Sequence, residues 1–117
     1  MIVVDSSAVI AILFGEPSAD RLMVRLAADP DRVISAASYL EADLDAFLIE
    51  AGIEVAQVDA EQARLALSAR ITYGRGMGHG GVLNFGDTFS YALAKSLDAP
   101  LLFVGDDFKT TDVSAAM

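Results

Sequence analysis

Five acidic residues stand where the hydropathy pattern of the chain breaks. Asp5 ends the apolar run MIVVD, Glu41 lies early in the helical stretch after RVIS, Asp87 follows Phe85 in LNFGDTFSYALAKSL, and Asp106 and Asp107 follow PLLFVG. Carboxylates brought close together repel one another, so they stay partly protonated or take up a counter-charge. A hard divalent cation such as Mg²⁺ or Mn²⁺ supplies that charge, prefers oxygen ligands and keeps water in its shell. Such a site can activate water and stabilise a phosphate during displacement. The chemistry that these acids suggest is therefore phosphodiester hydrolysis.

Each acid alone has a quieter explanation. Asp5 suits the N-cap of a following helix. Glu41 completes an S-x-x-E capping box with Ser38. Asp87 suits the positive end of its helix, and Asp106 and Asp107 suit a turn. Capping does not explain why all of them fall at strand-to-helix junctions. Right-handed crossovers would carry those junctions to one edge of a parallel sheet. Successive residues at a strand end point in opposite directions, so one of the final pair should face the cluster. Asp106, nearer the strand, is expected inward, with Asp107 the competing choice.

The elements that must position these acids can be read from periodicity. MIVVD, RVIS, IEVAQV and PLLFVG are short apolar runs expected to be strands. SSAVIAILF reads as a helix stopped at Gly15. SADRLMVRLAAD repeats Ala19, Leu22, Met23, Leu26 and Ala27 at helical spacing, and SYLEADLDAFLIEAG places Leu40, Leu44, Phe47, Leu48 and Ala51 on one face before Gly52. Asp59 and Gln62 form a D-x-x-Q cap for a helix running to about Tyr73. Phe85, Phe89, Leu93 and Leu97 form the expected core stripe of the last helix. Strands alternating with helices predict βαβ units around a parallel sheet, hence an α/β fold.

At 117 residues, 54% of them hydrophobic, the chain predicts one domain, 1–117, with a full core. No apolar run is long enough for a membrane span, and MIVVDSS lacks the basic start of a signal peptide. The absence of cysteine excludes disulfides and thiolate metal sites and fits a cytoplasmic location. The single histidine, His79, excludes a zinc centre built on several histidines. A net charge of −9 opposes phosphate binding unless metal ions reverse the local sign, and it suits a basic protein partner.

VVDSSAVIAIL, ISAASYLEA and LNFGDTFSYALAKSLDAPLLFVGDDFKTTDV resemble the PIN-domain ribonucleases, and among them the VapC toxins of bacterial toxin–antitoxin pairs. TYGRG and GIEVAQVDAEQA match in spacing, so the resemblance covers nearly the whole chain. It implies a three-layer PIN-like fold and a Mg²⁺- or Mn²⁺-dependent endoribonuclease that forms a homodimer and is inhibited by a small antitoxin. Its four acids fall on Asp5, Glu41, Asp87 and, within GDDF, Asp106 or Asp107. Ser7 matches a small hydroxyl residue that would bind metal-held water or phosphate. The chain departs from the family between Glu41 and Gly52, where a block of about 15–20 residues is missing by the usual length of a helix pair. That shortening bears on dimer geometry and antitoxin binding more than on the acids.

Other readings compete. A response-regulator receiver shares the length and the strand-end acids, but VVDSS offers one acid where paired acids are needed, and Asp59 is a cap rather than an acceptor. A haloacid-type phosphatase needs a second Asp where Ser7 stands. An inactive module that sequesters an antitoxin would keep the fold without turnover. Arg70, Arg75, Lys95 and Lys109 are candidate grips for an RNA backbone, with an ordinary solvated surface as the alternative. His79, in the glycine-rich loop GRGMGHGG, reads as a mobile residue.

Overall fold

The structure, a computed structural model, describes residues 1–42 and 45–117, and for residues 40–42 the backbone alone. The chain forms β1 (Ile2–Val4), α1 (Ser6–Leu13), α2 (Ala19–Ala27), β2 (Arg32–Ser35), α3 (Ala36–Ala42), α4 (Asp45–Glu50), β3 (Ile53–Ala56), α5 (Ala60–Tyr73), α6 (Phe85–Leu97) and β4 (Leu101–Leu102). A single 3-10 turn, Asp107–Thr110, follows β4. Among the described residues the sheet has four strands in the order β3-β2-β1-β4, and every pairing is parallel.

The two-residue period of a strand divides the core into two layers. Ile2, Val4, Ile34, Ile53 and Leu102 face one side and pack with Ala8 and Val9 of α1, Leu22 and Leu26 of α2, and Leu48 of α4. Val3, Val33 and Leu101 face the other side and pack with Ala69 of α5 and with Tyr91, Leu93 and Ala94 of α6. A sheet covered on both faces demands near-continuous apolar strands, which is why IVV and LL carry no alternation. The result is the expected three-layer α/β architecture.

The helices depart from expectation in detail. The stretch expected to be helical is helical over Ala36–Ala42 and Asp45–Glu50, with residues 43 and 44 outside the described residues. On its expected face Leu48 is buried and Phe47 and Ala51 are half-buried, while Leu44 and the Leu40 side chain lie outside the described residues. On α2, Leu22 and Leu26 are buried but Met23 is exposed. The stripe expected on α6 is only partly right. Leu93 is fully buried, whereas Phe85 is 68% exposed and Leu97 is exposed as well. Because α6 packs on the sheet, α5 and α3, its middle is buried almost all round, through Thr88, Ser90, Tyr91, Ala92, Leu93 and Ala94. Small residues there let the neighbours approach, and the large apolar residues at its two ends are left outside.

The β4 edge is not bare. The C-terminal segment folds along it, with the Leu101 N–H donating to Ser114 O at 2.8 Å and the Ala116 N–H donating to Leu101 O at 2.9 Å. The Arg25 guanidinium on α2 donates to Ala116 O at 2.7 Å and clamps the same segment. Among the described residues no helix is long and apolar enough to cross a membrane.

Candidate active site

The strand order reverses between β1 and β4. The chain steps outward from β1 to β2 to β3, then returns to the opposite side of β1. A crevice opens at such a reversal beyond the carboxyl ends of the strands. Asp5 stands there, its backbone N–H bonded to Leu102 O at 2.9 Å. Its side chain is both cap and candidate ligand. One oxygen accepts the Ser7 N–H at 3.0 Å, capping α1, and the other accepts the Ser90 hydroxyl at 2.5 Å. A carboxylate can only accept, so the Ser90 proton is committed to Asp5 and the Ser38 hydroxyl must donate to Ser90, 2.9 Å away. Asp5, Ser38 and Ser90 are all buried.

Asp87 lies on α6, the helix whose Ser90 touches Asp5. It is the third residue of the helix and forms a reciprocal capping box with Asn84. The Asn84 N–H donates to Asp87 Oδ2 at 3.0 Å, and the Asp87 N–H donates to Asn84 Oδ1 at 2.8 Å. Asp87 lies one turn before Ser90 on the same side of the helix, a spacing that sets their Cβ atoms roughly 5–6 Å apart. The serine that touches Asp5 and the second acid thus occupy one edge of α6. Position 41 stands one turn beyond Ser38 on the α3 backbone, and the Glu41 side chain lies outside the described residues.

The S-x-x-E capping box proposed for Ser38 and Glu41 does not form. Helix α3 begins two residues earlier, at Ala36, and the Ser35 hydroxyl accepts the Ala37 N–H at 3.3 Å as its cap. Ser38 is thereby released to face Ser90. Ser38 and Ser90 are the site residues that sequence reasoning missed. The available signal was a small hydroxyl side chain one turn from each candidate acid, inside otherwise apolar helical stretches.

Ser7 ties α1 to the segment after β4, its hydroxyl oxygen accepting the Val104 N–H at 3.0 Å. The inward turn expected of Asp106 is not found. Asp106 is exposed and pairs with Lys109 Nζ at 2.7 Å, and this hydrogen bond and charge hold its carboxyl below the usual range. Two local causes act together. Gly105, at φ +99°, swings the chain outward, and the following 3-10 turn eclipses side chains three apart, setting Lys109 over Asp106. Asp107 opens that turn and is also exposed. Among the described residues, no three His, Asp or Glu side chains gather closely enough to hold one ion.

The basic residues separate into two kinds. Lys109 pairs with Asp106, and Lys95 pairs with Asp112 at 3.1 Å. Arg70 and Arg75 have no acidic partner among the described residues and line a cavity of about 470 Å³ with Gly74, Leu83, Asn84 and Phe85. The loop that carries Arg75 is pinned rather than loose. The Arg75 N–H donates to Leu83 O at 2.8 Å, and the Leu83 N–H donates to Tyr73 O at 3.0 Å. His79, expected to be mobile, folds back on the end of α5. Its Nδ1 accepts the Gly81 N–H at 3.2 Å, so Nε2 carries the proton and donates it to Ile71 O at 2.7 Å.

Comparison with known proteins identifies the company this architecture keeps. Residues 39–114 match the PIN domain family. Ribonuclease VapC42 of Mycobacterium tuberculosis is 44% identical over 128 aligned positions, covering 97% of this chain and 98% of its own length. A ribonuclease VapC of Mycolicibacterium smegmatis is 45% identical, again over 97% of this chain and 98% of its own length. The 128 positions exceed the 117 residues of this chain, so the first relative carries residues that this chain lacks. Among solved structures, a toxin–antitoxin complex from Klebsiella pneumoniae superposes with a TM-score of 0.74 at 16% identity, covering 96% of this chain and 93% of its own. The VapC20 toxin of Mycobacterium tuberculosis, described as cleaving the sarcin–ricin loop, superposes with a TM-score of 0.71 at 18% identity, covering 97% and 96%. These last two likenesses bear on the fold alone.

Proposed function

Because this chain belongs to the VapC ribonucleases of the PIN-domain family, we propose that the acids at the carboxyl edge of its sheet bind Mg²⁺ or Mn²⁺ and hydrolyse RNA phosphodiester bonds. The observation that carries this reading is the setting of Asp5. Asp5 is only 4% exposed, and its carboxylate is held by neutral donors, with no Lys or Arg paired to it among the described residues. An unpaired buried charge is costly, and a divalent cation shared with Asp87 would balance it. The donor set is all oxygen, which fits a hard ion.

Asp5 and Asp87 are the central ligands in this reading, Glu41 the third acid, and Asp106 or Asp107 the fourth. The Asp106–Lys109 pair is an exposed one, and such pairs are weak, so either terminal acid can be drawn to an ion without disturbing the core. When bound, the ion would lower the pKa of its water and neutralise phosphate oxygens. The chain does the rest. The Ser7 N–H and the Ser38–Ser90 pair fix Asp5 in one orientation, and the Asn84 box fixes Asp87. The Ser7 hydroxyl, accepting from Val104, keeps its own proton for a phosphate oxygen.

The partners follow from the same reading. A small antitoxin would cover the acidic crevice, and the charge of −9 calls for a basic one. The residues present in the relatives and lacking here would fall between Glu41 and Gly52, so a homodimer or an antitoxin groove built there would differ from theirs. A cytoplasmic location fits an RNA substrate. The test is incubation with total RNA, with and without Mg²⁺, followed by mapping of new ends. Cleavage should need the metal and vanish in Asp5→Asn and Asp87→Asn. Undiminished cleavage in excess EDTA would remove the mechanism, and RNA binding without cleavage in Mn²⁺ would point to a sequestering module instead.

A further inference from the structure

We propose that Phe85, Arg70 and Arg75 form a nucleotide-binding subsite beside the acids, with an unpaired RNA base stacked on Phe85 and its phosphate held by the two arginines. The inference rests on the nuclease reading above and adds to it the place where the RNA lies. Phe85 is the first residue of α6, two positions before Asp87, and most of its ring is in solvent. An aromatic ring left so open at the rim of an otherwise well-packed helix calls for an explanation. Its neighbour Phe89 meets it edge-on, with centroids 5.1 Å apart and planes at 83°. That contact braces the ring without stacking on it.

The charges around it point the same way. On a chain of net charge −9, phosphate must find a local exception. Lys95 and Lys109 are tied to acids, Arg25 is tied to Ala116 O, and Arg32 caps the carbonyls of Leu26 and Ala51. Arg70 and Arg75 pair with no acid among the described residues, Arg75 Nη2 making a long bond to Val82 O at 3.4 Å, and both line the cavity walled by Asn84 and Phe85. Arg70 and Phe85 also line a second hollow, of about 180 Å³, with Thr88 and Phe89. The arginines are placed by structure. Arg70 lies in the last turn of α5, and Arg75 follows Gly74, where a Cβ would fall 2.2 Å from Arg70 O. Only glycine allows the chain to turn that closely, and Arg75 is then fixed by its bond to Leu83 O. An aromatic platform with flanking cations is how proteins hold single strands. A basic antitoxin would be repelled by the same pair of arginines, so the chemistry favours RNA.

The experiment measures binding in EDTA, which blocks cleavage, using end-labelled total RNA and a short randomised single-stranded oligoribonucleotide. Phe85→Ala should weaken binding roughly ten-fold or more, the usual effect of losing one stacked base. Phe85→Trp should restore it and Phe85→Leu should not. Arg70→Gln and Arg75→Gln should each lower the slope of log affinity against log salt by about 0.7, the value for one phosphate contact on a single strand. All three positions of change are exposed, so circular dichroism should show an unchanged fold. Wild-type affinity in Phe85→Ala, or full recovery in Phe85→Leu, would overturn the subsite while leaving metal-dependent cleavage standing. Variants that bind RNA normally but lose a co-purifying protein partner would also overturn it, marking a protein-docking face. A wild-type chain that binds neither RNA in EDTA would overturn the subsite, while the nuclease reading stands or falls separately by cleavage in Mg²⁺.

Discussion

Asp5 combines two duties that substitution can separate. As a cap it needs only an acceptor, and asparagine caps a helix as well as aspartate. Asp5→Asn should therefore change stability by less than about 1 kcal/mol in urea unfolding, while RNA cleavage falls by orders of magnitude. A large stability loss with cleavage retained would leave capping as its whole role. Ser90→Ala tests the other side of the network. It leaves one Asp5 oxygen and the Ser38 hydroxyl buried without their partner, and should cost about 1–3 kcal/mol. At this scale the sequence showed at which junctions Asp5 and Asp87 fall and not what holds them. Asp5 and Asp87 were legible because junctions of strand and helix can be read from hydropathy. Ser38 and Ser90 were not, since a buried serine looks like any small helix residue until the partner helix is known. Asp106 misled for a similar reason, because strand alternation says nothing of a chain that has already turned at Gly105.

Elements here are tied by a few polar side chains whose effect varies with pH. Tyr91 on α6 donates its hydroxyl to Asp112 at 2.6 Å, and Lys95 one turn on pairs with the same carboxylate. The Tyr91 hydrogen bond, chiefly, and Lys95 hold the Asp112 carboxyl below its usual range, and burial with the Asp112 contact pushes the Tyr91 phenol up. A depressed folded value means that the unfolded chain takes up the proton first as acid is added. The tie therefore stabilises fully above the unfolded value, about pH 4, and fades as pH falls through the folded one. Wild type should be slightly more stable than Asp112→Asn at neutral pH, with the gap closing in acid. The gap should be small, since 55% of the Asp112 side chain is exposed. Urea midpoints measured from neutrality downward decide it, and a gap that widened in acid would reverse the assignment. Helix boundaries were read well where a cap spells itself out, as with Asp59 and its 2.8 Å bond from the Gln62 N–H. The burial of α6 was misread because a helix packed on a sheet and two other helices has no single stripe.

The whole molecule is legible in outline from its apolar runs, because β1 and β4, covered on both faces, are wholly apolar. What the runs could not reveal is how the short β4 is closed off. An open strand edge invites pairing with another chain, and residues 113–117 cover this one through Leu101 and Arg25. Deleting them should cost about 1–3 kcal/mol and bring visible association by light scattering. Unchanged stability and a monodisperse solution would show the cover to be dispensable. The pinned glycine-rich loop has a practical consequence of another kind. Its latch is the one histidine in the chain, so an NMR spectrum of the protein contains a single imidazole. The ring-proton and nitrogen signals of His79 are then a built-in reporter, free of overlap, on whether the segment bearing Arg75 stays folded against α5 while RNA is bound and released.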